Sequence, residues 1–149
     1  MISQKKSISA ASTIKNTRIP SMEDILNAVS HDKALVILRT ISLIGQNSSN
    51  ISRSKCNLSR KQYYSGISDL RKAGLIRGRR GKYSLTSLGK VVYYAREVVE
   101  NAVNDFWKLK AIDSLNISDD NDLSKEELVK LVDSLIDNQE IKEIVLKTV

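Results

Sequence analysis

Apolar residues recur three and four positions apart along most of this 149-residue chain, and a period of two appears only between Leu75 and Leu85. Spacings of three and four line up apolar side chains on one stripe of a helix, whereas a period of two lines them up on one face of a strand. The chain must therefore build its core from helices packed stripe to stripe, with one short hairpin. The aromatic share, 5%, argues against a β-sandwich and agrees with a mainly α fold. At 41% hydrophobic and 28% charged, the chain has enough apolar surface to bury a core, with little to spare.

The local signals place the elements. Ser21 is an N-cap, with Glu23 and Asp24 in the first helical turn and Met22, Ile25, Leu26 and Val29 on one face. Ser30 caps a second helix, whose apolar positions are 34, 35, 37, 38, 41 and 44, widened by Val36 and Leu43, and which Gly45 stops. Residues 46–57 are polar and turn-prone, with a short helix over 50–55. Ser59 caps a helix through Ala73 that buries Tyr63, Ile67 and Leu70 and ends at Gly74; Gly66 within it lowers its propensity. Leu75 and Ile76 enter a strand, 78–81 make a turn, and Tyr83, Ser84 and Leu85 return. Thr86 then caps a long helix to about Leu115. Ser124 and Glu127 form a capping-box pattern ahead of Leu128, Leu131, Val132, Leu135 and Ile136, Asn138 breaks that helix, and Ile141, Ile144 and Val145 form a last amphipathic stretch.

Several classes of function are disfavoured. Cys56 is the only cysteine, so neither an internal disulfide nor a Cys-rich zinc site can form. No apolar run approaches the ~18–20 residues of a membrane span, and the first residues lack the apolar stretch of a signal peptide, so the expected setting is cytoplasmic. One histidine, no glycine-rich phosphate loop and no spacing that recommends a Ser/His/Asp set argue against an enzyme and against a cofactor. Asp119, Asp120 and Asp122 resemble the start of a calcium loop, but the glycine and terminal glutamate are missing, so they read as a solvated linker.

Charge is segregated along the chain. Residues 51–90 hold eleven basic residues and a single acid, Asp69, a net +10; residues 111–149 hold ten acids and four lysines, a net −6. A block of +10 beside a block of −6 suggests a polyanion-binding middle and a tail with another task, such as contact with a protein partner. The expected organisation is a basic arm over 1–19, a DNA-binding domain over 20–90, a dimerisation helix over 91–115, and an acidic linker with C-terminal helices over 116–149.

The order of helix, short helix, Ser-capped basic helix, glycine, basic hairpin and long helix resembles a winged helix-turn-helix. The stretch LSRKQYYSGISDLRKAGLIRGRRGKYSLTSLGK is similar to the recognition-helix and wing segment of winged-helix transcription regulators, particularly the small archaeal kind. The resemblance covers roughly residues 31–95. It implies a nucleoid-associated regulator acting on double-stranded DNA. Winged helices also serve as protein-interaction modules, and a sequence-indifferent chromatin protein is a further alternative.

Elementary physics assigns roles to these residues. A helix fits the major groove and reads bases with its N-terminal residues, here Ser59, Arg60, Lys61 and Gln62, followed by Tyr64, Ser65 and Ser68. Arginine or lysine suits guanine, and Gln62 suits adenine. Arg53, Lys55, Arg71, Lys72, Arg77, Arg79, Arg80 and Lys82 are the expected contacts to phosphates or, from the wing, to the minor groove. Val92, Ala95, Val99, Ala102, Phe106 and Leu109 form a heptad-like seam that is expected to pair two copies as a homodimer. The alternative for this seam is cover by the C-terminal helices of the same chain.

Overall fold

The computed structural model describes residues 18–44, 53–79, 82–116 and 123–147. The N-terminal arm through residue 17, Gly45, Ile51, Arg80, Gly81 and the aspartates of the acidic linker lie outside the described residues, as do the roles expected of them. The described chain is mainly helical with one two-stranded antiparallel hairpin: α1 (Met22–Ser30), α2 (Asp32–Ile44), α3 (Arg53–Cys56), α4 (Arg60–Lys72), β1 (Ile76–Arg79), β2 (Lys82–Leu85), α5 (Ser87–Asn104), α6 (Phe106–Asn116), α7 (Lys125–Leu135) and α8 (Gln139–Lys147). No described helix is long and apolar enough to cross a membrane. The chain divides into two compact units between Lys90 and Val91, a boundary that falls inside α5.

In the first unit α2 is the central element, packed against α1, α3, α4 and β2. Its stripe of Ala34, Ile37, Leu38 and Ile41 is buried against Tyr63, Ile67 and Leu70 of α4. Gly66 is buried on the side of α4 that faces Ala34 and Ile37 of α2. A Cβ there would lie 2.6 Å from Cδ1, the far end of the Ile37 side chain, and 3.8 Å from the Ala34 Cα, so a larger residue would displace the tip of Ile37. Two of the caps expected of this unit form as capping boxes, Ser21 with Asp24 and Ser59 with Gln62. The Ser21 N–H donating to Asp24 (2.9 Å) is the main reason that carboxyl sits below its ordinary range. Ser30, expected to cap α2, is instead the last residue of α1, and its hydroxyl donates to the Asn27 carbonyl oxygen.

The hairpin pairs Ile76 with Leu85, Arg77 with Ser84, Gly78 with Tyr83 and Arg79 with Lys82. Gly78 and Arg79 therefore belong to the ladder, not to the turn, and only residues 80 and 81 connect the strands. Gly74 ends α4 with φ 71°. Thr86 closes the unit: its hydroxyl donates to the Gly74 carbonyl oxygen (2.6 Å) and accepts from the Gly89 N–H (2.9 Å), while its own N–H donates to the Leu75 carbonyl oxygen (3.0 Å). The start of α5 is seated so closely on this turn that a Cβ at Gly89 would fall 2.0 Å from the Leu75 carbonyl oxygen.

The second unit has its own core. Ile112, Leu128, Val132, Ile136 and Ile141 are buried together, with Val98, Ala102, Leu109, Leu131 and Leu135 packed around them. Side chains of residues 91–115 and of the C-terminal helices thus share one core. The long helix is interrupted at Asp105, where α5 gives way to α6, although i→i−4 bonds run from Asp105 to Asn101 and from Leu109 to Asp105. Asn104 and Asp105 are poor helix formers, and Asp105 takes the Lys108 ammonium at 3.0 Å. That hydrogen bond raises the Lys108 pKa. At the far end, Asn138 caps α8 by accepting from the Glu140 and Ile141 N–H groups.

Thr86→Val keeps the shape and removes both hydroxyl bonds. It should destabilise the chain by about 1–3 kcal/mol in urea unfolding, and Thr86→Ser by less. Equal losses for the two variants would show that the hydroxyl does not hold this junction.

Candidate nucleic-acid interface

The packing of α4 on α2 sorts its residues by side. Tyr63, Gly66, Ile67 and Leu70 are buried, while Ser59, Arg60, Lys61, Tyr64, Ser65, Arg71 and Lys72 are exposed and Gln62 and Ser68 half-buried. Tyr64 is 57% exposed and meets Tyr63 edge to face, with ring centroids 5.4 Å apart. Burial, followed by the neighbouring Tyr83, Cys56 and Tyr64, pushes the Tyr63 phenol above its ordinary range, so it stays neutral at physiological pH. The aromatic pair therefore has one ring in the core and one on the surface.

The Ser59–Gln62 capping box limits what these two side chains can do. The Gln62 N–H donates to the Ser59 hydroxyl (3.2 Å), and the Ser59 N–H donates to the Gln62 side-chain oxygen (3.1 Å). Bidentate pairing of Gln62 with adenine uses that same oxygen, so the sequence-based role competes with the cap. Ser59 and Gln62 serve as the helix start, and the outward residues are Arg60, Lys61, Tyr64 and Ser65.

The other cations stand around α4. Arg53 and Lys55 are exposed on α3, and Arg77, Arg79 and Lys82 are exposed on the hairpin. The Arg77 Nε donates to the Ser84 hydroxyl (3.2 Å), which steadies that side chain across the strands. Among the described residues, none of the basic side chains of α3, α4, β1 or β2 forms an ion pair; the ion pairs belong to Arg18, Arg96, Lys108 and Lys142. Nor do the described residues hold a group of three or more His, Cys, Asp or Glu side chains able to bind a metal.

A groove of about 730 Å³ runs between the start of α2 and α4, lined by His31, Asp32, Lys33, Lys61, Ser65 and Asp69 among others. Its two carboxylates and two ammonium groups give it no dominant charge. Lys33 and His31 were not anticipated as neighbours of α4; only the α2–α4 crossing brings them there. Cys56 is buried, with its thiol 3.8 Å from the Thr40 hydroxyl.

The expected seam is divided. Ala102 and Leu109 pack into the core of the second unit, Val92 is half-buried, and Ala95, Val99 and Phe106 are exposed. No family model matches the chain, and no curated protein or solved structure matches it.

Because the α4 cations carry no ion pair among the described residues, they add little to folding. Arg60→Ala combined with Lys61→Ala should leave the melting temperature within about 2 °C of the parent chain. A fall of 5 °C or more would show that these cations hold the fold.

Proposed function

We propose that the first unit is a winged helix-turn-helix that binds duplex DNA sequence-specifically, as a transcriptional regulator does. α2, α3 and α4 form its three-helix framework, α4 is the recognition helix, and the β1–β2 hairpin is the wing. The observation that carries this reading is the face of α4: a rigid, core-anchored helix presents Arg60, Lys61, Tyr64 and Ser65 outward, with exposed cations on the elements before and after it. Unpaired cations repel one another and remain available to an anion. A duplex supplies one phosphate charge per ~1.7 Å of axis, and its major groove admits a helix.

The division of labour follows from reach. Arg60 and Lys61, in the first turn of α4, donate to base edges, with guanine as the favoured base. Tyr64 and Ser65 lie one turn on, where a phenol ring meets a thymine methyl and a hydroxyl meets a phosphate. Arg53, Lys55, Arg71 and Lys72 neutralise flanking phosphates. Arg77, Arg79 and Lys82 grip the backbone from the wing. The chain acts by occupying its site as a binding protein, not as an enzyme.

Selection from a random duplex pool, at near-physiological salt and with competitor DNA, should enrich a motif. Arg60→Ala should then relax preference at one position by about 1–3 kcal/mol. Arg79→Ala with Lys82→Ala should weaken all sequences alike and reduce the salt slope by roughly 2. Binding without enrichment would favour a chromatin protein, and absence of binding would favour a protein-interaction module.

A further inference from the structure

The second unit carries an apolar surface that its own core leaves uncovered. Val91, Val99 and Val103 are 65%, 62% and 67% exposed, Phe106 53%, Trp107 75% and Tyr94 51%. With the exposed Ala95, positions 91, 95, 99, 103 and 107 form an unbroken row spaced by four, and no charged side chain interrupts it. Steps of four on a 3.6-residue helix advance about 40° each, so the row starts in line with the covered residues Val98 and Ala102 and drifts away from them. The C-terminal helices close one seam, and this ridge remains outside it.

We infer that the ridge is a self-association surface, and that its occupant is a second copy of this chain. Two observations favour a copy. The first is area: Phe106, Trp107 and the three valines at these exposures present roughly 600 Å², at the top of the range for the largest patch of a monomer and about three-quarters of the ~800 Å² per partner of a standard interface. The second is self-complementarity. A row spaced by four is the i±4 ridge that interdigitates with the same row of a second helix at an angle near −50°, the commonest helix crossing. An antiparallel two-fold axis beside Val99 lays each row in the groove next to the other, with the small Ala95 near the larger Val103 of the copy and bulky Phe106 and Trp107 at the outer ends of the contact. The pairing is a crossing of two ridges centred on Val99, in place of the heptad seam that the sequence suggests. Phe106 and Trp107 already hold each other edge to face, with centroids 5.2 Å apart, and Lys110 lies 5.4 Å from the Trp107 ring. The aromatic end is therefore largely preorganised, which lowers the entropy lost on association. This surface belongs to the second unit alone and does not depend on the DNA reading.

The test needs no DNA. Sedimentation of the full chain should give twice 16.7 kDa at micromolar concentration, and Val99→Asp with Val103→Asp should return the monomer mass with unchanged helical circular dichroism. In a Cys56→Ala background, Val99→Cys should oxidise to a covalent dimer, whereas Lys130→Cys, exposed on α7, should not. A wild-type monomer up to about 100 µM would overturn the proposal and leave the ridge to a different partner. A dimer unaffected by the aspartates, or equal cross-linking at both cysteines, would equally overturn it.

Discussion

The packing of α4 against α2 is the constraint on which the first unit depends. It buries Tyr63, Ile67 and Leu70 on one side of α4 and thereby decides which side chains remain outside. A helix with four basic residues and modest intrinsic stability gains its rigidity from that contact, because burial of a large apolar side chain contributes about 1.5–3 kcal/mol. The capping box at Ser59 starts the helix, Gly74 stops it, and Thr86 ties the turn beyond it to α5. The outward face is thus held from both ends and from below.

Charge follows a different logic in the two units. In the first, Arg18 meets Asp24, but the cations of α3, α4 and the hairpin cluster without an ion pair among the described residues, a repulsive arrangement that the apolar core sustains. In the second, Arg96 meets Glu100, Lys108 meets Asp105 and Asp137, and Lys142 meets Asp133. Exposed pairs of this kind add little stability. Both units leave apolar side chains exposed, Ile19, Met22, Leu26 and Leu43 in the first and the α5–α6 ridge in the second, so what distinguishes the first is the cation cluster of α3, α4 and the hairpin. The first offers cations to an anionic partner, and the second offers a neutral ridge to an apolar one.

Local chemistry made much of this legible in the sequence. Ser21, Ser59, Thr86 and Ser124 act as caps because a short hydroxyl side chain reaches the free N–H groups of a first turn, a strictly local geometry. Tyr63, Ile67 and Leu70 were recognisable as a buried face by period alone. What failed depended on tertiary contact. Gly66 looked like a weakness because propensity cannot register Ile37 pressing on it. Gln62 looked free because the pull of its cap on the side-chain oxygen is not visible in a residue list. The seam of α5 and α6 was read as one stripe, yet Ala102 and Leu109 face the C-terminal helices while Val99 and Phe106 do not. Spacing by four at 91, 95, 99, 103 and 107 was the available signal, and it was masked by the heptad pattern overlapping it.

The central claim is that the outward face of α4 meets DNA, and amide chemical-shift mapping with a short duplex tests it most directly. The account predicts shifts centred on residues 59–65 of α4 and on 77–82 of the hairpin, fading as salt rises, with Val99 and Trp107 silent. Shifts confined to α5 and α6, or no shifts at low salt, would contradict it.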